Sequence, residues 1–471
     1  MNRPLMIAIV GAGFCGMVSA IRLLQQKKIS GTHITLFERV GHGLGGVAYD
    51  IDSERLLLNV PASGMSAFEE EPEDFLNFLR TVSPDAIGGT FAPRRVYGSY
   101  LRARLQTAIE ARPDVQFEIR AAEILDVRPS STGGWHVHGE SFGTAFELVA
   151  TAVLLATGPG ISARPRWVTD RMLDSGHYRD AWAQTEALSL DASATIATIG
   201  TGLTFVDTVI TLRAGGFKGH IVALSRHGAL PQIERGPPAI PTPSDIPLAL
   251  RPGESPIKSI RQLIRVFRQQ LTLMRAEGRD FRMLIAAIRP LIPGLWNNLT
   301  LNERLRFLRH ARHLWDSHRH RVPESVGKHI EADIAAGTLK LIAGRIISAQ
   351  EHAGALDLVV KPRGHTATTS LRVAQVINCT GAPAGAPLGN PLDALKDRKD
   401  IRPDQLGLGV LTDQAGQLLN DRGQPQLGLC YVGPLLRAQD WELTAVPELR
   451  RRLPSVVSAI CSAIEAHARM A

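Results

Sequence analysis

The sequence predicts an α/β fold: two doubly wound, Rossmann-like domains, with a helical insertion in the second. Three observations predict it. An apolar, β-favouring run, LMIAIV, passes straight into the turn GAGFCG and a stretch of helix formers, after which HITLFE returns to strand. The same succession recurs from near Ala194, in ATIATIGTGLTFVDTVITLRAGG and HIVALSR. Farther on, residues 259 to about 336 show helical periodicity alone, and strand-like runs resume beyond them.

A chain of 471 residues has room for roughly three domains of about 150 residues, and 44 % apolar composition suits a globular protein with a large core. The four cysteines, Cys15, Cys379, Cys430 and Cys461, are too few for a disulfide scaffold, and no two form a CxxC pair. Cysteine-held metal and thioredoxin-type dithiol chemistry are therefore poor readings. The first apolar run is broken by glycines rather than continuing as a signal-peptide core, and no apolar stretch nears the roughly 20 residues of a membrane-spanning helix. The expected compartment is the cytoplasm. A net charge of +8 and a pI near 9.6 raise the question of nucleic acid. The basic excess is densest between Arg261 and Arg321, where Phe267, Phe281, Trp296, Phe307 and Trp315 are too widely spaced for a base-stacking platform. A small anionic ligand or a solvated helical surface suits that charge better, so no nucleic-acid partner is expected.

Gly11, Gly13 and Gly16 spell G-x-G-x-x-G between strand and helix, and Glu38 ends the next strand, 22 residues after Gly16. Gly11 permits the tight turn, Gly13 lets backbone approach a pyrophosphate, and Gly16 lets helix and strand pack closely, while the helix N-terminus meets the anion. Glu38 is placed to accept ribose hydroxyls and would repel a 2′-phosphate, which selects FAD or NAD over NADP. The continuation GHGLGGVAYD, with Gly45 and Gly46, suits a flavoprotein chain folding back along the pyrophosphate. An irregular stretch, NVPASGMSAF, two helices within PEDFLNFLRTV and SYLRARLQTAIEA, and several strand-like runs carry this mixed α/β pattern to about residue 160.

In the second unit Gly200 and Gly202 follow a strand, but Phe205 and Val206 stand where a third glycine would be. The next strand ends in Ser225-Arg226-His227-Gly228 instead of an acid. A hydroxyl and a guanidinium there match a 2′-phosphate and point to NADPH. Two sites of opposite ribose chemistry imply a flavoprotein reduced by NADPH. Proline and glycine accumulate from Pro231 to Pro256, and the helices that follow are broken at Arg289-Pro290 and at Ile292-Pro293-Gly294. Two apolar strands end in matching turns, Thr157-Gly158 and Thr380-Gly381, where the chain would cross between domains. At the close, Gly433-Pro434 and the segment from Trp441 through Thr444 to Pro447 are placed to bring a helix N-terminus to a flavin's pyrimidine edge. The expected boundaries are 1–190 for the first part of the FAD domain, 191–239 and 341–380 for the NADPH domain, 240–340 for the insertion, and 381–471 for the C-terminal part of the FAD domain.

The insertion holds His310, His313, His318 and His320, and i, i+3 spacing puts the first two on one helix face. The arginines around them oppose a cation, so no metal is expected. A cap that offers Arg309, His310, Arg319 or Arg321 to an acidic substrate stands beside plain interhelical packing.

The segments IVGAGFCG, FERVGHGLGGVAY, LLNVPASGMS, PRRVYGSYL, IGTGLTFVD, SRHG, FLRHARHLWDSHRHRVP and WELTAVPELR extend from residue 9 to residue 450. On them the chain resembles the bacterial flavin- and nicotinamide-binding proteins of the YdhS-like group. That group lies within the two-dinucleotide-binding-domain flavoprotein superfamily that includes the N-hydroxylating and Baeyer–Villiger monooxygenases. The resemblance implies a FAD domain built from both chain ends and a nicotinamide domain inserted in the middle. It implies that Gly11, Gly13, Gly16, Glu38 and Arg39 contact the adenosine and pyrophosphate of FAD, with Thr157 and Gly158 nearby. Asn59 to Ser66 would lie close to the flavin ring, and Gly200, Gly202, Thr204, Ser225 and Arg226 would hold NADPH. The F-x-G-x-x-x-H-x-x-x-W/P signature of the Baeyer–Villiger branch is missing, which argues against ketone oxygenation. The reaction expected is hydride transfer from NADPH to flavin and then oxygen capture as a peroxyflavin, acting on a small, acidic or amino-group-containing metabolite. The alternatives are an NADPH-dependent flavin dehydrogenase or reductase with another acceptor, and a non-catalytic flavin-carrying interaction module. No catalytic residue is assigned.

Overall fold

The computed structural model describes residues 5–131, 133–182, 191, 193–236, 240–251, 254 and 256–470. The chain divides into two compact units, one built from residues 1–54, 60–161 and 384–471 and the other from 55–59 and 162–383. Each is Rossmann-like.

In the first unit a six-stranded sheet runs in the order Gln417–Leu419, Pro425–Tyr431, Ala152–Leu155, Met6–Val10, His33–Glu38, Gln116–Ala121. All neighbours are parallel except the edge pair Gln417–Leu419 with Pro425–Tyr431. Met6–Val10 is central, and Ile7, Ala8 and Ile9 are fully buried. A parallel strand covered on both faces must be apolar throughout, which is why MIAIV and AVLL show no alternation. The helix Phe14–Leu24 is buried along its whole length and packs against Arg94–Glu110 and the C-terminal helix Val446–Met470. An antiparallel three-stranded sheet, Glu123–Pro129, Trp135–Ser141 and Thr144–Ala150, precedes the strand Ala152–Leu155.

The second unit repeats this plan. Its sheet order is Thr369–Val373, Ala355–Pro362, Leu339–His352, His220–Ser225, Thr195–Ile199, Gln375–Asn378, Tyr178–Asp180. The last five strands are parallel, and the long strand Leu339–His352 continues into an antiparallel ribbon with Ala355–Pro362 and Thr369–Val373. In both units the strand that follows the antiparallel ribbon inserts beside the first strand.

Two expected boundaries shift. The break expected at 190 lies near 161, because Tyr178–Asp180 pairs with Gln375–Asn378 and because Val168, Met172 and Tyr178 pack with Ala197, Val222 and Leu224 of the second sheet. A three-residue strand has too few positions for a period, so only its pairing reveals it. The insertion expected over 240–340 is shorter as well. Its helices run from Ile260–Ala276 to Arg312–Arg319, with Pro290 and Pro293 in the first turns of new helical segments. The next helix, Glu324–Ala335, packs on Leu203–Ala214 and leads directly into Leu339–His352. It is the crossover helix of the sheet, and helical periodicity alone does not separate it from the insertion.

The Tyr178→Ala substitution removes a buried ring that meets Trp167 edge-on at 5.9 Å between centroids. Hydrogen exchange should then accelerate in the paired strand Gln375–Asn378 and stay unchanged in Met6–Val10. Faster exchange in Met6–Val10 alone would place residues 162–180 with the first unit.

Candidate functional site

The first turn is shaped by three glycines with different duties. Gly11 has φ +100, and a Cβ there would stand 2.5 Å from the carbonyl oxygen of Ala156, just past the end of Ala152–Leu155. Only glycine permits both that conformation and that approach. A Cβ on Gly16 would come 1.8 Å from the Gly11 oxygen, so the helix is pressed onto its own turn. A Cβ on Gly13 would meet nothing within 4 Å. The open space beside Gly13 lies at a helix N-terminus, whose unpaired N–H groups favour an anion. The 41–46 loop closes on the same turn: the Gly45 N–H donates to Ala12 O at 2.9 Å, and a Cβ on Gly46 would lie 3.1 Å from Gly13 Cα.

Glu38 is tied to this turn. Its Oε2 accepts the Ala12 N–H at 2.7 Å and its Oε1 the Arg39 N–H at 3.0 Å. A carboxylate has about four lone-pair sites, so ribose hydroxyls can still add to it. Arg39, Val40 and His42 line a cleft of ≈ 420 Å³ together with Glu123, Glu140 and Phe142 from the antiparallel sheet. Phe142 is 77 % exposed and holds φ 48, an uncommon conformation for a bulky residue. Sequence reasoning missed these three residues; an aromatic at a hairpin tip was the one local signal.

Thr157 and Gly158 follow the strand Ala152–Leu155. The buried Thr157 hydroxyl has no hydrogen-bond partner among the described residues, and the Thr157 nitrogen lies 3.5 Å from where a Gly11 Cβ would be. Gly158 O accepts from the Tyr431 hydroxyl at 3.2 Å; the same hydroxyl accepts the Leu435 N–H at 3.2 Å, and a Cβ on Gly433 would come within 2.7 Å of it. Tyr431, also missed, thus joins Gly158 to the Gly433 turn. Burial pushes its phenol far above the usual range, so it remains a donor. Trp441 is buried, whereas Thr444 is exposed just ahead of Val446–Met470. Ser66 is fully buried, its hydroxyl engaged by Phe68 and Glu71 carbonyls at 3.0 and 2.6 Å, so it fastens its loop. Asn59 is half-buried and belongs to the second unit.

In the second unit Gly200 has φ +94, and a Cβ there would lie 2.9 Å from Cys379 O, while Gly202 again meets nothing within 4 Å. Phe205 takes the place of the third glycine and is fully buried. Thr204 is half-buried in the first helical turn. The Thr201 hydroxyl lies 2.6 Å from Ala229 O and 2.9 Å from Ser225 Oγ, which accepts the Gly228 N–H at 2.9 Å. Ser225 therefore shapes the turn in which Arg226 is exposed, and Arg226 has no hydrogen-bond or ion-pair partner among the described residues.

The four insertion candidates separate. Arg321 is ion-paired with Glu234, which also takes Arg282 at 3.0 Å, and Arg319 is buried. Arg309 and His310 are exposed on Phe307–Ala311, a π-helical turn of the kind often found at functional positions. His313 stacks flat on His227, and His318 Nδ1 lies 2.8 Å from Leu314 O. All four cysteines are buried and unpaired, and burial pushes the thiols of Cys15, Cys379 and Cys430 up to about 12. No helix among the described residues is long and apolar enough to cross a membrane.

A family model described as FAD-NAD(P)-binding matches residues 8–160. No curated protein matches the sequence. Among solved structures, the fold is similar to an ornithine N-hydroxylase from Kutzneria sp. 744 (15 % identity, TM-score 0.64, covering 100 % of each chain). It is also similar to the ornithine hydroxylase of Pseudomonas aeruginosa (15 %, TM-score 0.65, 99 % of this chain and 100 % of that one). A third is the cadaverine monooxygenase of desferrioxamine biosynthesis from Erwinia amylovora, bound to FAD (13 %, TM-score 0.64, 98 % and 95 %).

The glycine duties can be separated by experiment. Gly16→Ala meets backbone at 1.8 Å and should destabilise the first unit by about 2–4 kcal/mol, whereas Gly202→Ala meets nothing and should cost at most about 1 kcal/mol. Thermal unfolding of the two variants checks this, and equal shifts would contradict it.

Proposed function

We propose that the protein is an FAD-dependent, NADPH-reduced monooxygenase acting on a small amine or amino acid. The observation that carries the reading is the pair of glycine turns with opposite ends: a carboxylate, Glu38, fixed at the first, and an exposed guanidinium, Arg226, at the second. The first turn fits the flavin nucleotide. Gly13 opens onto clear space, the Thr157 hydroxyl is buried without a partner among the described residues, and the cleft beside Arg39 has room for a planar base. Gly11, Gly13 and Gly16 hold the pyrophosphate against the helix N-terminus, Glu38 takes the ribose, and Tyr431 holds the Gly158 and Gly433 backbone in place. Gly200, Gly202 and Thr204 hold the NADPH pyrophosphate, and Arg226 its 2′-phosphate.

When bound, the flavin accepts a hydride from NADPH and delivers the electrons onward. The balance for oxygenation is NADPH, a proton, O2 and substrate giving NADP+, hydroxylated substrate and water. Arg309 supplies an exposed cationic contact for a substrate carboxylate and His310, next to it in sequence and also exposed, a further hydrogen-bonding contact. The amine substrates in the names of the similar structures support an amine over a ketone, as does the missing Baeyer–Villiger signature. The buried thiols disfavour dithiol reduction, because a nucleophilic thiolate needs access and a lowered pKa.

Purified protein should bind FAD, and Glu38→Arg should weaken that binding by about tenfold or more through lost ribose bonds and added charge; titration by flavin fluorescence reads it. NADPH should reduce the flavin faster than NADH, and Arg226→Ala should cut that preference by about tenfold in stopped flow. With primary amines and amino acids as a panel, one substrate should yield one hydroxylated product per NADPH. Peroxide alone across the panel, with fast turnover on a quinone, would establish a reductase instead.

A further inference from the structure

Beside Arg226 the second unit holds a cluster that the reading above leaves unused. His227 and His313 stack with ring centroids 3.5 Å apart and planes within 5°. They come from the loop after His220–Ser225 and from the insertion helix Arg312–Arg319 respectively. Arg363 Nη1 donates to His227 Nδ1 at 2.8 Å, and its own backbone N–H bonds Ala343 O at 2.8 Å, one strand over. Arg226 completes the cluster. Among the described residues the carboxylate facing it is Asp316, which Arg312 already engages at 3.1 Å. Four cationic or protonatable groups are thus gathered around one point, with a single, partly neutralised acid beside them.

That point is the end of the second strand of a dinucleotide-binding unit, where the 2′-position of the adenosine ribose is held. We propose that Arg226, Arg363 and the stacked His227–His313 pair together form the seat of the coenzyme's 2′-phosphate, and that seating the phosphate draws a proton onto the imidazole pair. The inference rests on NADPH binding at the second turn, and it adds three residues and a proton to it.

The chemistry follows from the neighbours. In the free protein both imidazoles are held below their usual pKa, first by burial, then at His227 by the His313 ring, Arg363 and Arg226 and at His313 by Arg363 and Arg226, with Asp316 opposing at His313. They are neutral near pH 7, and the Arg363 bond to Nδ1 needs that neutral form. A dianionic phosphate at the same point reverses the balance by adding two negative charges within reach of both rings. The proton taken from solvent makes a third cation for the phosphate. Affinity for a 2′-phosphate should therefore fall as pH rises through the bound-state imidazole pKa, while a nucleotide without that phosphate should not respond. Because His313 belongs to the insertion, the same phosphate also ties that helix to the coenzyme loop.

The test uses the full-length protein with 2′,5′-ADP as probe and 5′-AMP as control. Calorimetry in buffers of different ionisation enthalpy should show 2′,5′-ADP binding with uptake of about half to one proton near pH 7.5, and its affinity should drop about tenfold from pH 6.5 to 8.5. 5′-AMP should show neither. His313→Phe keeps a ring on His227 but cannot be protonated; it should weaken 2′,5′-ADP about five- to tenfold at pH 6.5, flatten the pH profile, and leave 5′-AMP unchanged. The wild-type proton count needs no variant, so a misfolded substitution does not remove the test. Binding of 2′,5′-ADP with no proton uptake and a flat pH profile would overturn the seat while the NADPH reading stands. Equal affinity for the two nucleotides would overturn both the seat and the NADPH preference, and no binding of either would overturn the dinucleotide site itself.

Discussion

The constraint on which each unit depends is the contact between a turn glycine and the carbonyl that ends the neighbouring strand. A Cβ on Gly11 would come within 2.5 Å of Ala156 O, and one on Gly200 within 2.9 Å of Cys379 O. These approaches exist because the strand after the antiparallel ribbon is threaded in beside the first strand, putting Ala152–Leu155 next to Met6–Val10 and Gln375–Asn378 next to Thr195–Ile199. The topology follows from there. Each of these inserted strands is the last before the chain passes to the other unit, so Thr157-Gly158 and Thr380-Gly381 stand both beside a glycine turn and on the path to the next unit.

The two turns diverge where chemistry requires it. In the first, Gly16 lets the helix press against the turn, and Glu38 is pinned by the Ala12 N–H, so a carboxylate is fixed at the end of the second strand. In the second, Phe205 fills the same helical position, and a network of Thr201, Ser225, Gly228 and Ala229 replaces the acid. That network engages the Ser225 hydroxyl within the loop and leaves Arg226 exposed beside it. The reading of Ser225 as a phosphate ligand did not anticipate these local hydrogen bonds.

What was legible in the sequence was what neighbours along the chain determine. The glycine turns, their flanking strands and helices, and the acid or base that ends each second strand are set by short-range geometry, and they appear at the positions read. What was not legible depends on partners far away in the chain. Tyr178–Asp180 is a strand only because Gln375–Asn378 lies beside it. Arg321 looks like a substrate contact until Glu234, 87 residues earlier, is found against it. Ser66 is fixed by carbonyls of its own loop, while Arg450 donates to its carbonyl oxygen at 2.7 Å from the terminal helix. Tyr431 has no periodicity or motif to announce it, and although His227 and His313 each stand in a segment the sequence singles out, their stacking depends on what a folded neighbour brings.

The distribution of charge and thiols narrows the direction in which electrons leave. An internal dithiol relay requires accessible sulfur of low pKa, and here burial holds the Cys15, Cys379 and Cys430 thiols near 12, where they stay protonated. On the function proposed, the acceptor is oxygen or a small molecule that diffuses in. The insertion's arginines are unequal candidates for meeting it: Arg279 is paired with the fully buried Asp245, while Arg282 and Arg321 share Glu234. These pairs fix the insertion's own shape. Arg309 and His310 stand exposed on a π-helical turn instead, where a wider backbone ring offsets the side chains from the regular helical faces. A substrate carboxylate drawn to this block would find its available charge there, while the paired arginines keep the block folded.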